Sequence, residues 1–285
     1  MKTVLVTGTL GLSRLIADRF QSEPEFSTLM LDLWTDDWKQ TDFPRYDSIV
    51  HVVGVTPQSI KNDEDYERIN VRLTEELAKR AKAAGVKQFV FISSMAVYGT
   101  EQQMDPVAGT VTETTPCAPN SEYGQSKLQA EQLLNGMQDD AFSVVHIRVP
   151  SIYGEGKTTY LDQYRYLADK LPVIPDAFRG RYKSILCVKN LCELIFLIVK
   201  ENATGVFCPD DGEISATMLC RAIYPRKKLS RLLGRGMELI LKKNERIRDY
   251  YGAICYSRQL ANCFDGRYRV LDFREAVRRC YSENH

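Results

Sequence analysis

Five short runs in the first 150 residues are almost continuously apolar or β-branched, and segments with helical periodicity lie between most of them. The runs are "KTVLVT" (Lys2–Thr7), "STLMLDL" (27–33), "YDSIVHVVG" (46–54), "VKQFVFISS" (86–94) and "FSVVHIRVP" (142–150). A strand wetted on one face alternates apolar and polar residues, whereas a strand covered on both faces does not need to. The intervening segments supply the covers. Leu12, Leu15, Ile16 and Phe20 recur at helical spacing, as do Tyr66, Ile69, Leu73, Leu77, Ala81 and Ala84. A further helix is expected over 121–137, and 105–121, rich in Pro, Thr, Ser and Asn, reads as a loop. Strands alternating with helices specify an α/β fold with a doubly wound parallel sheet.

The first strand runs into "TGTLGLSRL" (7–15). A glycine turn between a strand and a helix lets backbone N–H groups approach a pyrophosphate at the helix N-terminus. Gly8, Thr9, Leu10 and Gly11 therefore form a candidate dinucleotide cradle. It looks two residues short, with Arg14 where a third glycine is expected and Ser13 as the small residue beside it. Asp32, 24 residues after Gly8, ends the second strand. A carboxylate there accepts from both adenosine ribose hydroxyls and repels a 2′-phosphate, which favours NAD over NADP. Asp36 and Asp37 compete for that role, and a solvated loop carboxylate is the plain alternative.

"YGQSK" (123–127) sets Tyr123 and Lys127 one helical turn apart. An ammonium beside a phenol favours phenolate and lowers its pKa toward acid–base use. Upstream, "SSMAVYG" ends a strand with Ser93 and Ser94, where open parallel sheets bind ligands. A hydroxyl there can hold the substrate oxygen that Tyr123 deprotonates.

Taken together, "VTGTLG", "HVVG", "RINV", "GVKQFVFISSMAVYG", "TETTPCAPNSEYGQSKLQAE", "RVPSIYG" and "VKNLCEL" resemble the NAD-dependent epimerase/dehydratase family, the extended short-chain dehydrogenase/reductases. The resemblance covers most of residues 1–200 and is closest to the UDP-hexose 4-epimerases. It implies a Rossmann-type domain over 1–150 and a smaller mixed α/β substrate-binding lobe over 151–285, with some segments crossing between them. It implies Tyr123 as catalytic base, Lys127 on the nicotinamide ribose and Ser94 on the reacting hydroxyl. It also places Val53, Gly54, Asn70, Ser93 and Pro150 along the cofactor, Asp42 near the adenine, and Ser151 and Lys183 near the substrate. Ser151 replaces a usual asparagine, and Lys183 a usual arginine. The 4,6-dehydratases carry an Asp–Glu pair after the serine or threonine; Met95 and Ala96 stand there instead, so dehydration is disfavoured. The implied activity is 4-epimerisation of a UDP-hexose in polysaccharide precursor metabolism, by a homodimer. A keto-sugar-nucleotide reductase would need the same groups, and a dinucleotide-binding sensor without turnover is the third reading.

Of the 285 residues, 44% are hydrophobic and 26% charged, with a net charge of +1, which gives no general attraction for nucleic acid. The run "LIFLIV" (194–199) is too short to cross a bilayer, and the N-terminus has no secretion-signal pattern. The eight cysteines form no C-x-x-C and, with three histidines, suggest no metal site; free thiols in a cytoplasmic protein are expected. Residues 226–248 hold nine basic side chains against Glu238 and Glu245, with Leu229, Leu232, Leu233 and Met237 interleaved. That stretch reads as an amphipathic helix with a solvated basic face, or as a peripheral contact with an anionic membrane. His51 and His146 read as core histidines, and the resemblance places the backbone of the neighbours of His51 near the cofactor. On the resemblance Trp34 and Trp38 would flank the adenine side, and ordinary packing explains them equally well.

Overall fold

The computed structural model describes residues 1–57, 59–60, 62–99, 109–154, 169–241 and 254–281. Strands β1 (Lys2–Thr7), β2 (Phe26–Leu31), β3 (Ser48–His51) and β4 (Gln88–Ser94) alternate with helices α1 (Leu12–Gln21) and α2 (Thr74–Ala83). After β5 (Gly109–Val111) come α3 (Glu122–Asn135) and β6 (Ser143–Val149). The chain continues through β7 (Ser151–Tyr153), β8 (Ile174–Pro175), β9 (Lys183–Cys187), α4 (Val188–Lys200) and β10 (Gly205–Phe207). It closes with β11 (Glu213–Ile214), α5 (Ala216–Ile223), β12 (Leu229–Ser230), α6 (Arg231–Leu241), β13 (Ile254–Tyr256) and α7 (Phe273–Tyr281).

The central sheet has six strands in the order β10-β6-β4-β3-β1-β2, every pair parallel. Leu12, Ile16 and Phe20 of α1 cover one face together with Leu191, Leu194, Ile195 and Ile198 of α4. On the other face lie Ile69, Leu77, Ala81, Ala130 and Leu134. Burial on both sides explains the unbroken apolar strands. The sixth strand, β10, and its preceding helix α4 come from beyond residue 151 and return to this sheet.

Two local features differ from the sequence expectation, the opening of the long helix and the 105–121 loop. The long helix opens as a π-helical segment, Tyr66–Leu73, before α2, a form often associated with functional sites. In an open sheet of order 3-2-1-4-5-6 another strand lies outside the second. Here β2 is the edge, and residues 32–47 cross to β3 through two 3₁₀ turns, Asp36–Gln40 and Phe43–Arg45. The expected 105–121 loop contains β5, which pairs with β13.

Beyond residue 150 a separate three-stranded sheet has the order β11-β9-β7. β7 follows β6 after Pro150, and its Ser151 pairs with Ile185 of β9. The starts of both strands therefore face the C-terminal edge of the central sheet. The sequence from Thr158 to Leu171 reads as helical; residues 158–168 lie outside the described residues, and Asp169 and Lys170 are helical. Residues 242–248 of the basic stretch also lie outside them.

Candidate active site

The glycine turn is built by a tight fit. Gly8 has φ +90°, and a Cβ there would stand 2.5 Å from Ser13 Oγ. Ser13 is buried, and its hydroxyl donates to the Thr7 carbonyl at 2.8 Å. Ser13 thus takes the packing position of the absent third glycine. Arg14 points outward and pairs with Asp18 at 3.1 Å. Thr9, Leu10 and Gly11 are exposed, and no side chain caps the α1 N-terminus. An exposed turn leading to uncapped N–H groups suits a pyrophosphate, so these residues fit a dinucleotide. Asp32 is exposed just beyond β2 and accepts from the Trp34 N–H at 2.9 Å. Trp34 is 61% exposed, while Trp38 is buried in the core. Asp42 pairs with Arg45 at 4.0 Å. The Arg45 carbonyl accepts from Thr3 Oγ1 at 2.7 Å, which sets this segment toward the end of the sheet far from the glycine turn.

The loop after β3 is tied to both sides of the site. Thr7 Oγ1 accepts from the Val52 and Val53 N–H groups at 2.9 and 3.1 Å. Asn70, fully buried, accepts from the Val55 N–H at 2.8 Å and donates to the Val55 carbonyl and to Ser126 Oγ, both at 3.0 Å. Its carboxamide is a clamp holding Val53, Gly54 and Val55 against α3. A Cβ on Gly54 would lie 3.2 Å from Lys127 Nζ, so this loop borders the lysine directly. His51 is buried between Thr7 Oγ1 and Thr74 Oγ1 at 3.0 and 2.9 Å, and burial holds its pKa down at about 3. It is a neutral core histidine. His146, bonded to Asn135 Oδ1 at 2.8 Å, is likewise pushed down to about 4 by burial.

Ser94 ends β4 and caps the 3₁₀ turn Met95–Tyr98, its Oγ accepting from the Ala96 N–H at 3.1 Å. Helix α3 begins against this turn, with Ser121 accepting from the Gly124 N–H at 3.1 Å. A Cβ on Gly124 would stand only 2.5 Å from the Ala96 carbonyl oxygen. Glycine in "YGQSK" therefore permits the close approach that brings Tyr123 beside the end of β4. The Tyr123 ring packs near Tyr66 at 6.0 Å between centroids, and the Tyr123 carbonyl accepts from Ser126 Oγ at 2.8 Å. Lys127 is buried and donates to the Ile92 carbonyl at 3.0 Å. Burial lowers its pKa from 10.5 to about 8, against the opposing pull of Glu131.

Sequence reasoning passed over Glu131 and Arg148. Arg148 holds Glu131 through both Nε and Nη2, the latter at 2.6 Å, and Ser93 Oγ donates to the same carboxylate at 2.5 Å. Ser93 is wholly buried and its side chain belongs to this pair. Arg148 Nη1 also donates to Tyr98 at 2.7 Å. Pro150 is buried at the end of β6, and Ser151 and Lys183 are half-buried at the starts of β7 and β9. Among the described residues, seven cysteines are free and no group of His, Cys, Asp or Glu could hold a metal.

The profile of the NAD dependent epimerase/dehydratase family matches residues 10–171, more than half of the chain. The chain belongs to the NAD-dependent epimerase/dehydratase family. A UDP-glucose 4-epimerase of Vibrio cholerae is 32% identical over 164 residues, 55% of this chain and 49% of that protein. The N-acetyl-alpha-D-glucosaminyl-diphospho-ditrans,octacis-undecaprenol 4-epimerase of Escherichia coli O157:H7 is 28% identical over 56% of this chain and 47% of that protein. The matches thus span about half the length of these curated relatives. Among solved structures, UDP-glucuronic acid 4-epimerase from Bacillus cereus in complex with NAD superposes with a TM-score of 0.72 at 15% identity, covering 98% of this chain and 97% of that one. RMD from Pseudomonas aeruginosa complexed with NADPH gives a TM-score of 0.75 at 16% identity, covering 99% of each chain. At such identities the superpositions establish the shared Rossmann-type fold.

Proposed function

We propose that this protein is a 4-epimerase of a UDP-hexose, with Tyr123 as the base, Lys127 as its electrostatic support and Ser94 holding the reacting hydroxyl. The observation that carries the reading is the buried turn after Ser94. Met95 and Ala96 occupy it, with 6% and 1% exposure, where elimination of water would call for carboxylates. Helix α3 packs on that same turn through Gly124. With no carboxylate on that turn, the described residues support proton transfer at one hydroxyl and its reversal.

NAD, when bound, supplies a reversible hydride acceptor. Tyr123 takes the proton of the C4 hydroxyl as that carbon is oxidised and returns it when the carbon is reduced on the opposite face. The Lys127 ammonium favours the phenolate. Ser94 fixes the oxygen, and the Asn70 clamp holds the loop containing Gly54 against the lysine. Asp32 would receive the adenosine ribose. Ser151 and Lys183, at the mouths of β7 and β9, would face the sugar and its diphosphate. The names of the Vibrio and Escherichia relatives support C4 as the reacting carbon, with the diphosphate carried by a nucleoside in one and by a polyprenol in the other.

The test is incubation with UDP-glucose and UDP-N-acetylglucosamine, with resolution of the C4 epimers. Absence of an epimer from any UDP-hexose, while NAD is confirmed in the protein, refutes the reading. A ketoreductase among the relatives, 29% identical over 58% of this chain, motivates one parallel assay. Net consumption of NADH or NADPH with a 4-keto sugar nucleotide would mark a reductase.

A further inference from the structure

Helix α6 carries two leucines that the fold leaves in solvent. Leu232 is 85% exposed and Leu239 80% exposed. Seven residues apart, they lie two turns along one stripe. Exposed Arg235 and Gly236 lie between them, and exposed Lys228 and Leu229 precede them. The helix cannot roll to bury this stripe. Its opposite face is fixed where Gly234 meets Asp176, at which a Cβ would stand 2.4 Å from the backbone. Glu238 on that side accepts from the Phe178 N–H, and Ser230 Oγ caps the helix by accepting from the Leu233 N–H at 3.2 Å.

A cavity of about 370 Å³ opens beside this helix. Arg179, Arg181, Arg231 and Arg235 line it, against the carboxylates of Asp176 and Glu238. Asp176 pairs with Arg179 at 3.5 Å and accepts from Thr217 at 3.2 Å. Guanidinium groups outnumber carboxylates two to one, so the cavity favours an anion with several acceptor oxygens.

We propose that α6 seats the protein on an anionic lipid bilayer, Leu232 and Leu239 entering the interface while the arginine cavity takes a lipid phosphate. The charge pattern decides between a bilayer and a second copy of the chain. Around the leucines the exposed charged side chains of α6 and the residues just before it are Arg226, Lys228, Arg231 and Arg235, with no exposed acid among the described residues from 226 to 239. A two-fold contact would set these cations against their own copies, whereas an anionic leaflet complements them. The placement is independent of the sugar on which the enzyme acts.

The test is co-sedimentation of the full chain with phosphatidylcholine vesicles and with vesicles containing phosphatidylglycerol, at low and high salt. The wild type should pellet with the anionic vesicles at low salt and be released by high salt. Leu232→Ser/Leu239→Ser should weaken that binding by about tenfold or more, with an unchanged circular dichroism spectrum. Arg231→Gln/Arg235→Gln should lose the preference for the anionic lipid. No binding of the wild type at low salt overturns the proposal, as does undiminished binding of the leucine variant. A wild-type dimer that becomes monomeric in the leucine variant also overturns it, since a second copy would then cover the stripe.

Discussion

Glu131 and Arg148 form an ion pair at the inner end of β4, with the carboxylate 1% exposed and the Nη2–Oε2 distance 2.6 Å. The pair links α3 to β6 beneath Ser93 and stands one helical turn from Lys127. Glu131→Ala would leave a guanidinium in a poorly solvated place with its main partner removed. Breaking such a pair from one side costs about 3–5 kcal/mol. Urea denaturation should show a loss of that order for Glu131→Ala and a smaller one for Glu131→Gln, which keeps an acceptor for Ser93. A change below about 1 kcal/mol for Glu131→Ala would mean that the pair is solvated after all.

Lys127 makes stability depend on pH in a defined window. Its folded pKa is about 8, and its ordinary value is 10.5. Between these values the unfolded chain binds a proton that the folded chain does not, so stability rises with pH there. Below 8 the cost of burying the ammonium is present in full; above 10.5 it is gone. The slope is at most about 1.4 kcal/mol per pH unit. Lys127→Met should lack this rise. Parallel denaturation curves of the two proteins at pH 7.5 and 9.5 would check it, and a constant difference between them would refute it.

The strands and the Tyr123–Lys127 spacing on α3 were legible in the sequence because their signals are local. Burial on both faces writes a continuous apolar run, and one helical turn writes Tyr123 and Lys127 four residues apart. The supporting shell was not legible, because its partners are brought together only by the fold. Glu131 and Arg148 are separated by a helix end and a strand, and each alone looks like a surface charge. The resemblance implies Asn70 along the cofactor; only the structure puts its carboxamide on Val55. The short strand β10 joins the central sheet beside β6, a membership that depends on which edge remains open after folding. The edge position of β2 had a sequence trace, since 34–45 contains no apolar run, although that absence says nothing about what covers the sheet.

Gly124 is where the fold and the proposed chemistry depend on one hydrogen atom. A methyl group there would press on the Ala96 carbonyl at 2.5 Å and on Pro119 at 3.0 Å. The backbone carbonyl cannot rotate away without disturbing the turn that Ser94 caps, so α3 must lift. Overpacking of this kind costs about 1–3 kcal/mol. Because Tyr123 is the adjacent residue, a small lift also misplaces the base, and errors of about 1 Å cost on the order of a hundredfold in rate. Gly124→Ala should therefore lower kcat far more than it raises KM. Equal changes in the two, or none, would separate the helix position from catalysis.

Ser13 decides whether the contracted glycine turn is a defect. Its hydroxyl sits on the Thr7 carbonyl at 2.8 Å, and its Oγ already occupies the space that a Cβ on Gly8 would need. The turn thus closes on a side chain of serine size and has no room for a larger one. Ser13→Gly should retain NAD affinity and cost ~1 kcal/mol for the lost hydrogen bond. Ser13→Val should force Gly8 and the α1 N-terminus apart, moving the N–H groups that face the pyrophosphate. Its NAD affinity should fall by about tenfold or more, for a misfit worth 1–3 kcal/mol. Fluorescence titration of NAD against the three proteins measures this directly. If Ser13→Val binds as tightly as the wild type, the spacing of this turn does not govern cofactor binding.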